Sequence, residues 1–236
     1  MAETVKEDSS CYTSEAQQEV LGMISHVNAI HDHFFITGGT ALSVFYLYHR
    51  TSEDLDLFST NFKELDRIDS ELKRLFSGDL TLIQSSANFY SYLIKNVKVD
   101  IVFDPLSLKG DRNFAILSRG KDFSIDTLEN ITSNKLAAMA SRAEPKDIID
   151  FYFITNIIWE GLDKARFLDC YESAKKKEAL LDDPSMSAYQ IETLMKTVLT
   201  EREKVIPFMK KEVNWSLFED YMKYYIDVIY RLMSWN

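Results

Sequence analysis

The chain has 236 residues, 46% hydrophobic and 27% charged, enough to bury a core in one large domain or two small ones. With 27 Lys and Arg against 37 Asp and Glu the formal net charge is −10, which excludes a global field attractive to nucleic acid. Any RNA contact needs a local basic patch.

Cys11 and Cys170 are the only cysteines, so there is no disulfide framework and no CxxC metal pair. No apolar run approaches the roughly 18 residues a membrane helix needs. The opening "MAETVKEDSSCYTSE" is polar and acidic rather than signal-like, so the cytoplasm is the expected compartment.

Residues 1–12 read as a disordered tail. Ser14 with Gln17 three positions on forms a capping box and predicts a helix to about Ile30. "FFIT" reads as a short strand, "GGT" as a turn able to take positive φ, and "ALSVFYLYH" as a buried helix. "DLDLF" reads as a strand. In "NFKELDRIDSELKRLF", Phe62, Leu65, Ile68, Leu72 and Leu75 share one helical face. The runs "DLTLIQSS", "FYSYLIKN" and "VKVDIVFD" are strand-like, and short extended pieces continue to "DFSIDTLE". From Asn130 onward the pattern is helical, interrupted at Pro145, Gly161, Pro184 and Pro207. The predicted fold class is α+β. A mixed sheet of about four to six strands with flanking helices occupies 13–130, and a helical region occupies 131–236.

The chemistry concentrates in the extended segments. Residues two apart on a strand share a face, so Asp54 and Asp56 point together while Leu55 and Leu57 point away. On "VKVDIVFD" the same alternation groups Lys98, Asp100, Val102 and Asp104, with Val97, Val99, Ile101 and Phe103 opposite. If that strand neighbours "DLDLF", Asp100 completes a three-carboxylate cluster. Adjacent carboxylates repel unless a cation lies between them, and Mg²⁺ takes such oxygen donors. Two metals about 3.5–4 Å apart could be held. Upstream, the backbone N–H groups of Gly39 and Thr40 could bind a phosphate. Each feature alone has a plain structural explanation, either a half-buried strand or a flexible turn. Their combination points to a nucleoside triphosphate site.

The late stretch "NITSNKLAAMASRAEPKDIIDFYFI" reads as two helices meeting before Pro145. Lys135 and Arg142 are seven apart on one helix, and Asp147 and Asp150 three apart on the next, so each pair shares a face. They could form a structural ion-pair network. Alternatively, Lys135 could neutralise charge on a leaving pyrophosphate.

Gly39-Thr40, thirteen residues, then Asp54-Leu55-Asp56-Leu57 resembles the signature of the DNA polymerase β-like nucleotidyltransferases. More narrowly, "GGTAL", "HRTSEDLDLF" and "NKLAAMASRAEPKDIIDFYFI" resemble the AbiEii/AbiGii toxin family of nucleotidyltransferases, over roughly 34–155. The resemblance implies Mg²⁺-dependent, two-metal transfer of a nucleotide from an NTP to a hydroxyl on RNA (tRNA among the candidates) or protein. A cognate antitoxin is implied as partner. Asp54, Asp56 and Asp100 would hold the metals, with Asp100 helping to activate the acceptor. Lys135 and Asp147 would be functional, and Gly38, Gly39, Thr40, Arg50 and Ser52 would line the nucleotide. The chain departs from the pattern at Lys146, where the family often has arginine.

The rival of another class is a catalytically silent nucleotide-binding or protein-interaction module on the same fold, against which the retention of all three carboxylates argues. An aspartyl-phosphate phosphatase would want its first aspartate at the end of an apolar strand, whereas "HRTSE" precedes Asp54. The lysines at 175–177 and 210–211 read as solvated helix faces or as a local patch for an RNA acceptor.

Overall fold

The computed structural model describes residues 2–107 and 110–235. Met1, in the expected tail, and Asn236, in the expected helical region, lie outside them. The chain divides into two units, 1–127 and 128–236.

In the first unit, Ser14 caps α1 (Glu15–Ile24) by accepting from the Gln17 backbone N–H, as the capping box predicts. The helix stops short of Ile30. Ser25 Oγ donates to the Gly22 carbonyl at 2.6 Å and accepts from the Lys121 backbone at 2.8 Å, a tertiary demand that ends the helix. A separate α2 (Asn28–His33) follows. "GGT" forms a three-residue helical turn, α3 (Gly38–Thr40), and the buried helix expected after it is a π-helix, Ala41–Leu47. In α4 (Leu65–Leu75), Leu65, Ile68 and Leu72 are buried as periodicity predicts, while Leu75 is partly exposed.

Among the described residues the sheet is mixed and has eight strands, more than the four to six expected. They are β1 (Thr4–Lys6), β2 (Phe35–Thr37), β3 (Leu55–Ser59), β4 (Leu80–Ser86), β5 (Phe89–Ile94), β6 (Val97–Phe103), β7 (Asn113–Ile116) and β8 (Phe123–Ile125). Their order across the sheet is β1-β7-β8-β2-β3-β6-β5-β4. The expected disordered tail is therefore corrected: Thr4–Lys6 pairs in parallel with β7, and Cys11 is fully buried.

The central pair decides where the chemistry lies. β3 and β6 run parallel, with Leu55 beside Val99, Asp56 beside Asp100 and Leu57 beside Ile101. Leu55, Leu57, Val99 and Ile101 are all fully buried. A one-residue slip of either strand would turn its apolar side chains onto the polar face, at about 1.5–3 kcal/mol for each one exposed. Burial on one face thus fixes Asp56 beside Asp100 on the other.

The second unit is helical: α5 (Leu128–Ser141), α6 (Pro145–Phe153), α7 (Lys164–Lys175), α8 (Pro184–Thr200) and α9 (Trp215–Arg231), with a π-helix at Ile154–Ile158. Pro145 and Pro184 stand in the first turns of α6 and α8, where a missing N–H leaves no bond unmade. Phe151, Phe167 and Tyr225 pack edge-to-face or tilted at centroid distances of 4.6–6.1 Å to form its core. No helix among the described residues is long and apolar enough to cross a membrane.

Candidate active site

One row of residues runs across four strands of the first unit. Thr37 on β2 lies beside Asp56 on β3, Asp56 beside Asp100 on β6, and Asp100 beside Ser91 on β5. Asp54 sits one residue before β3 and reaches the same cluster. The Lys98 ammonium donates to Asp100 Oδ2 at 2.7 Å and lies 3.6 Å from Asp54 Oδ2. Laid end to end, those two distances bound the separation of the two carboxylate oxygens at 6.3 Å. Ser91 Oγ donates to the other Asp100 oxygen at 2.6 Å. Partial burial lowers the pKa of Lys98, but the hydrogen bond to Asp100 and the charges of Asp100, Asp54 and Asp56 outweigh it and leave the ammonium above the ordinary lysine value.

The glycine turn is built against these groups. Gly38 has φ +69°, and a Cβ there would fall 2.1 Å from Asp56 Oδ2, so a side chain is excluded both by conformation and by space. A Cβ on Gly39 would meet Arg50 Nη2 at 2.7 Å and Ser52 Oγ at 2.9 Å. Thr40 Oγ1 donates to the Asp54 backbone carbonyl, which also accepts from Gln17 Nε2 at 3.4 Å. Arg50, Ser52 and Thr40 are all buried. Thus Gly38, Gly39, Thr40, Arg50, Ser52, Asp54, Asp56 and Asp100 come together in one unit.

Lys135 and Asp147 lie in the second unit, where they meet each other. Lys135 Nζ is 3.0 Å from Asp147 Oδ1 and 2.6 Å from Asp150 Oδ2, all three groups being buried. Arg142 donates to both Asp147 oxygens, at 2.8 and 2.9 Å. Burial raises the Asp147 pKa, but Lys135 and Arg142 outweigh it and hold the carboxyl below its ordinary value. The ion-pair network drawn from helical spacing is present.

Lys98 and Ser91 were not expected as members of the site. Alternation had put Lys98 on the Asp100 face, and its charge was the available signal. Ser91 enters only through the β5–β6 register, which no local pattern reveals. A further extension is Asp126, fully buried after β8, which accepts from Thr37 Oγ1 at 2.6 Å and from Arg112 at 3.0 Å.

The cluster's donors are carboxylate oxygens, the hard type that Mg²⁺ selects, and a cation is already drawn to them in the form of the Lys98 ammonium. The donor set therefore fits a divalent ion. Among the described residues, no group of three or more His, Cys, Asp or Glu is arranged to hold one as it stands.

The family model described as "Nucleotidyl transferase AbiEii toxin, Type IV TA system" matches residues 25–224. No curated protein matches the sequence. Among solved structures, JHP933 from Helicobacter pylori is similar with TM-score 0.55 and 17% identity, over 94% of this chain and 95% of that one. The nucleotidyltransferase toxin MenT4 from Mycobacterium tuberculosis H37Rv is similar with TM-score 0.52 and 14% identity, over 92% of this chain and 82% of that one. At these identities the likeness shows the fold.

Proposed function

This chain belongs to the AbiEii family of nucleotidyl transferase toxins, and from that premise we propose that it moves a nucleotide from a nucleoside triphosphate to a hydroxyl of RNA or protein through Asp54, Asp56 and Asp100. The observation that carries the reading is the parallel β3–β6 register, which sets Asp56 beside Asp100 with Asp54 at the same Lys98 ammonium.

In the reaction, the acceptor oxygen bonds to the α-phosphorus, the bond to pyrophosphate breaks, and the hydroxyl proton must leave. Asp100 is the proposed recipient of that proton. Ser91 holds one of its oxygens at 2.6 Å and fixes the carboxylate's orientation. The turn at Gly38, Gly39 and Thr40, with Arg50 and Ser52, is proposed to line the triphosphate. Gly38 and Gly39 permit that packing because any Cβ would strike Asp56 or Arg50. Held by Asp54, Asp56 and Asp100, Mg²⁺ would offset the charge growing on the phosphoryl oxygens and the leaving group. Lys135 and Asp147 are proposed as functional on the resemblance, in addition to the ion pair they form. A cognate antitoxin is the proposed partner, and the cytoplasm, where nucleoside triphosphates are abundant, the proposed location.

The test is incubation of the pure protein with each α-labelled triphosphate, Mg²⁺ and an extract separated into RNA and protein. Label in one fraction identifies the acceptor class. Saturable triphosphate binding without label in either would favour the catalytically silent module instead.

A further inference from the structure

Lys98 stands two residues before Asp100 on the same face of β6. Its ammonium engages Asp100 Oδ2 at 2.7 Å and lies 3.6 Å from Asp54 Oδ2. Asp100's second oxygen is already engaged by Ser91. A divalent ion seated on Asp54 and Asp100 would therefore meet an Asp100 carboxylate already engaged on both oxygens and an ammonium close to Asp54, and two cations at that range repel.

We infer that Lys98 is an internal competitor of the divalent ion, holding Asp54 and Asp100 together while the cluster carries no metal and leaving them when metal binds. This rests on reading the cluster as a metal site. The exchange is mechanically easy. Lys98 is 42% exposed, and its four-carbon stem lets the ammonium turn to water without disturbing β6. Lys135, 5% exposed and held between two fully buried aspartates, has no comparable exit. Lys98 thereby serves two ends: it relieves carboxylate repulsion in the metal-free protein, and it raises the metal concentration at which the site fills. It is a positioning residue for the cluster.

The experiment is Mn²⁺ titration of the full chain without nucleotide, following the resonance of free Mn²⁺ by EPR, for wild type, Lys98→Met and Lys98→Arg. Removing a competing charge should tighten Mn²⁺ binding on the order of tenfold in Lys98→Met. Lys98→Arg keeps the charge and should bind no tighter than wild type. Melting without metal should be lower for Lys98→Met than for wild type, and Mn²⁺ should raise it more. If Lys98→Met binds Mn²⁺ as wild type does, or more weakly, the inference is overturned; binding that Asp56→Asn abolishes would then leave the metal site standing. Absence of saturable Mn²⁺ binding in all three proteins would overturn the metal reading itself. Should Lys98→Met fold only with metal, the arginine variant decides, since tighter binding than wild type there would also refute the competition.

Discussion

Two lysines in this protein each face two aspartates, and they differ in almost everything else. Lys98, on the sheet of the first unit, lies half in solvent beside Asp54 and Asp100. Lys135, on α5 of the second unit, is buried with Asp147 and Asp150 of α6, and Arg142 adds a bidentate pair on Asp147. The contrast teaches how the same ion-pair chemistry serves different ends. A half-exposed pair has little net strength and can be exchanged for another cation. A buried one is costly to disrupt because whatever remains has lost its water. The first arrangement suits a site that must accept ligands, the second a rigid joint.

The largest expected effect is at the buried network. Lys135→Met leaves Asp150 without its 2.6 Å partner and should cost about 3–5 kcal/mol, read by chemical denaturation. The same variant sharpens the proposed functional role. Nucleotide transfer per folded molecule should also fall by about 10²–10³ if the lysine acts on reacting phosphate. Full activity in the folded fraction would make Lys135 scaffold alone.

Gly38→Ala should come next. The substitution forces a side chain into φ +69°, costing roughly 1–2 kcal/mol, and pushes against Asp56 Oδ2. Transfer should be lost more steeply than stability. Comparable losses of both would weaken the claim that this turn exists to serve the carboxylates.

Arg142→Gln should be mild, about 1 kcal/mol or less, because the arginine side chain is 51% exposed and Lys135 remains on Asp147. A loss as large as that of Lys135→Met would erase the distinction between exposed and buried members of the network.

The finest effect is one of slope. The Asp147 carboxyl is held below its ordinary value, so the unfolded chain binds its proton first as pH falls. Its stabilising contribution is whole above about pH 4 and declines as pH drops through the lower, folded value. Melting temperatures between pH 7 and 3 should show a shallower acid loss in Asp147→Asn than in wild type. Equal slopes would remove Asp147 as a source of the acid sensitivity.

The carboxylate row was more legible in the sequence than the sheet around it, for physical reasons. Asp54, Asp56, Lys98 and Asp100 follow a period of two, which needs only local geometry to read, and the apolar partners of β3 and β6 then lock the register. Gly38 was readable because positive φ is a local demand. The misses were non-local. β1 is three residues long and exists only by pairing with Phe114, Ala115 and Ile116, more than a hundred positions away. The early end of α1 is set by the Lys121 backbone acting on Ser25. Ser91 joins Asp100 through a hairpin register that its own neighbours do not announce. The helical half was legible at its prolines and in the spacing of Lys135, Arg142, Asp147 and Asp150.

The central claim, that the carboxylate row on β3 and β6 carries nucleotide transfer, is tested most directly by comparing wild type with Asp56→Asn. Both proteins are given α-labelled triphosphate, Mg²⁺ and the acceptor fraction, and their melting is measured alongside. Asparagine preserves shape and removes the charge, so the account predicts melting within a few degrees of wild type and a loss of label of at least about 10²-fold. Undiminished labelling by folded Asp56→Asn protein would contradict it.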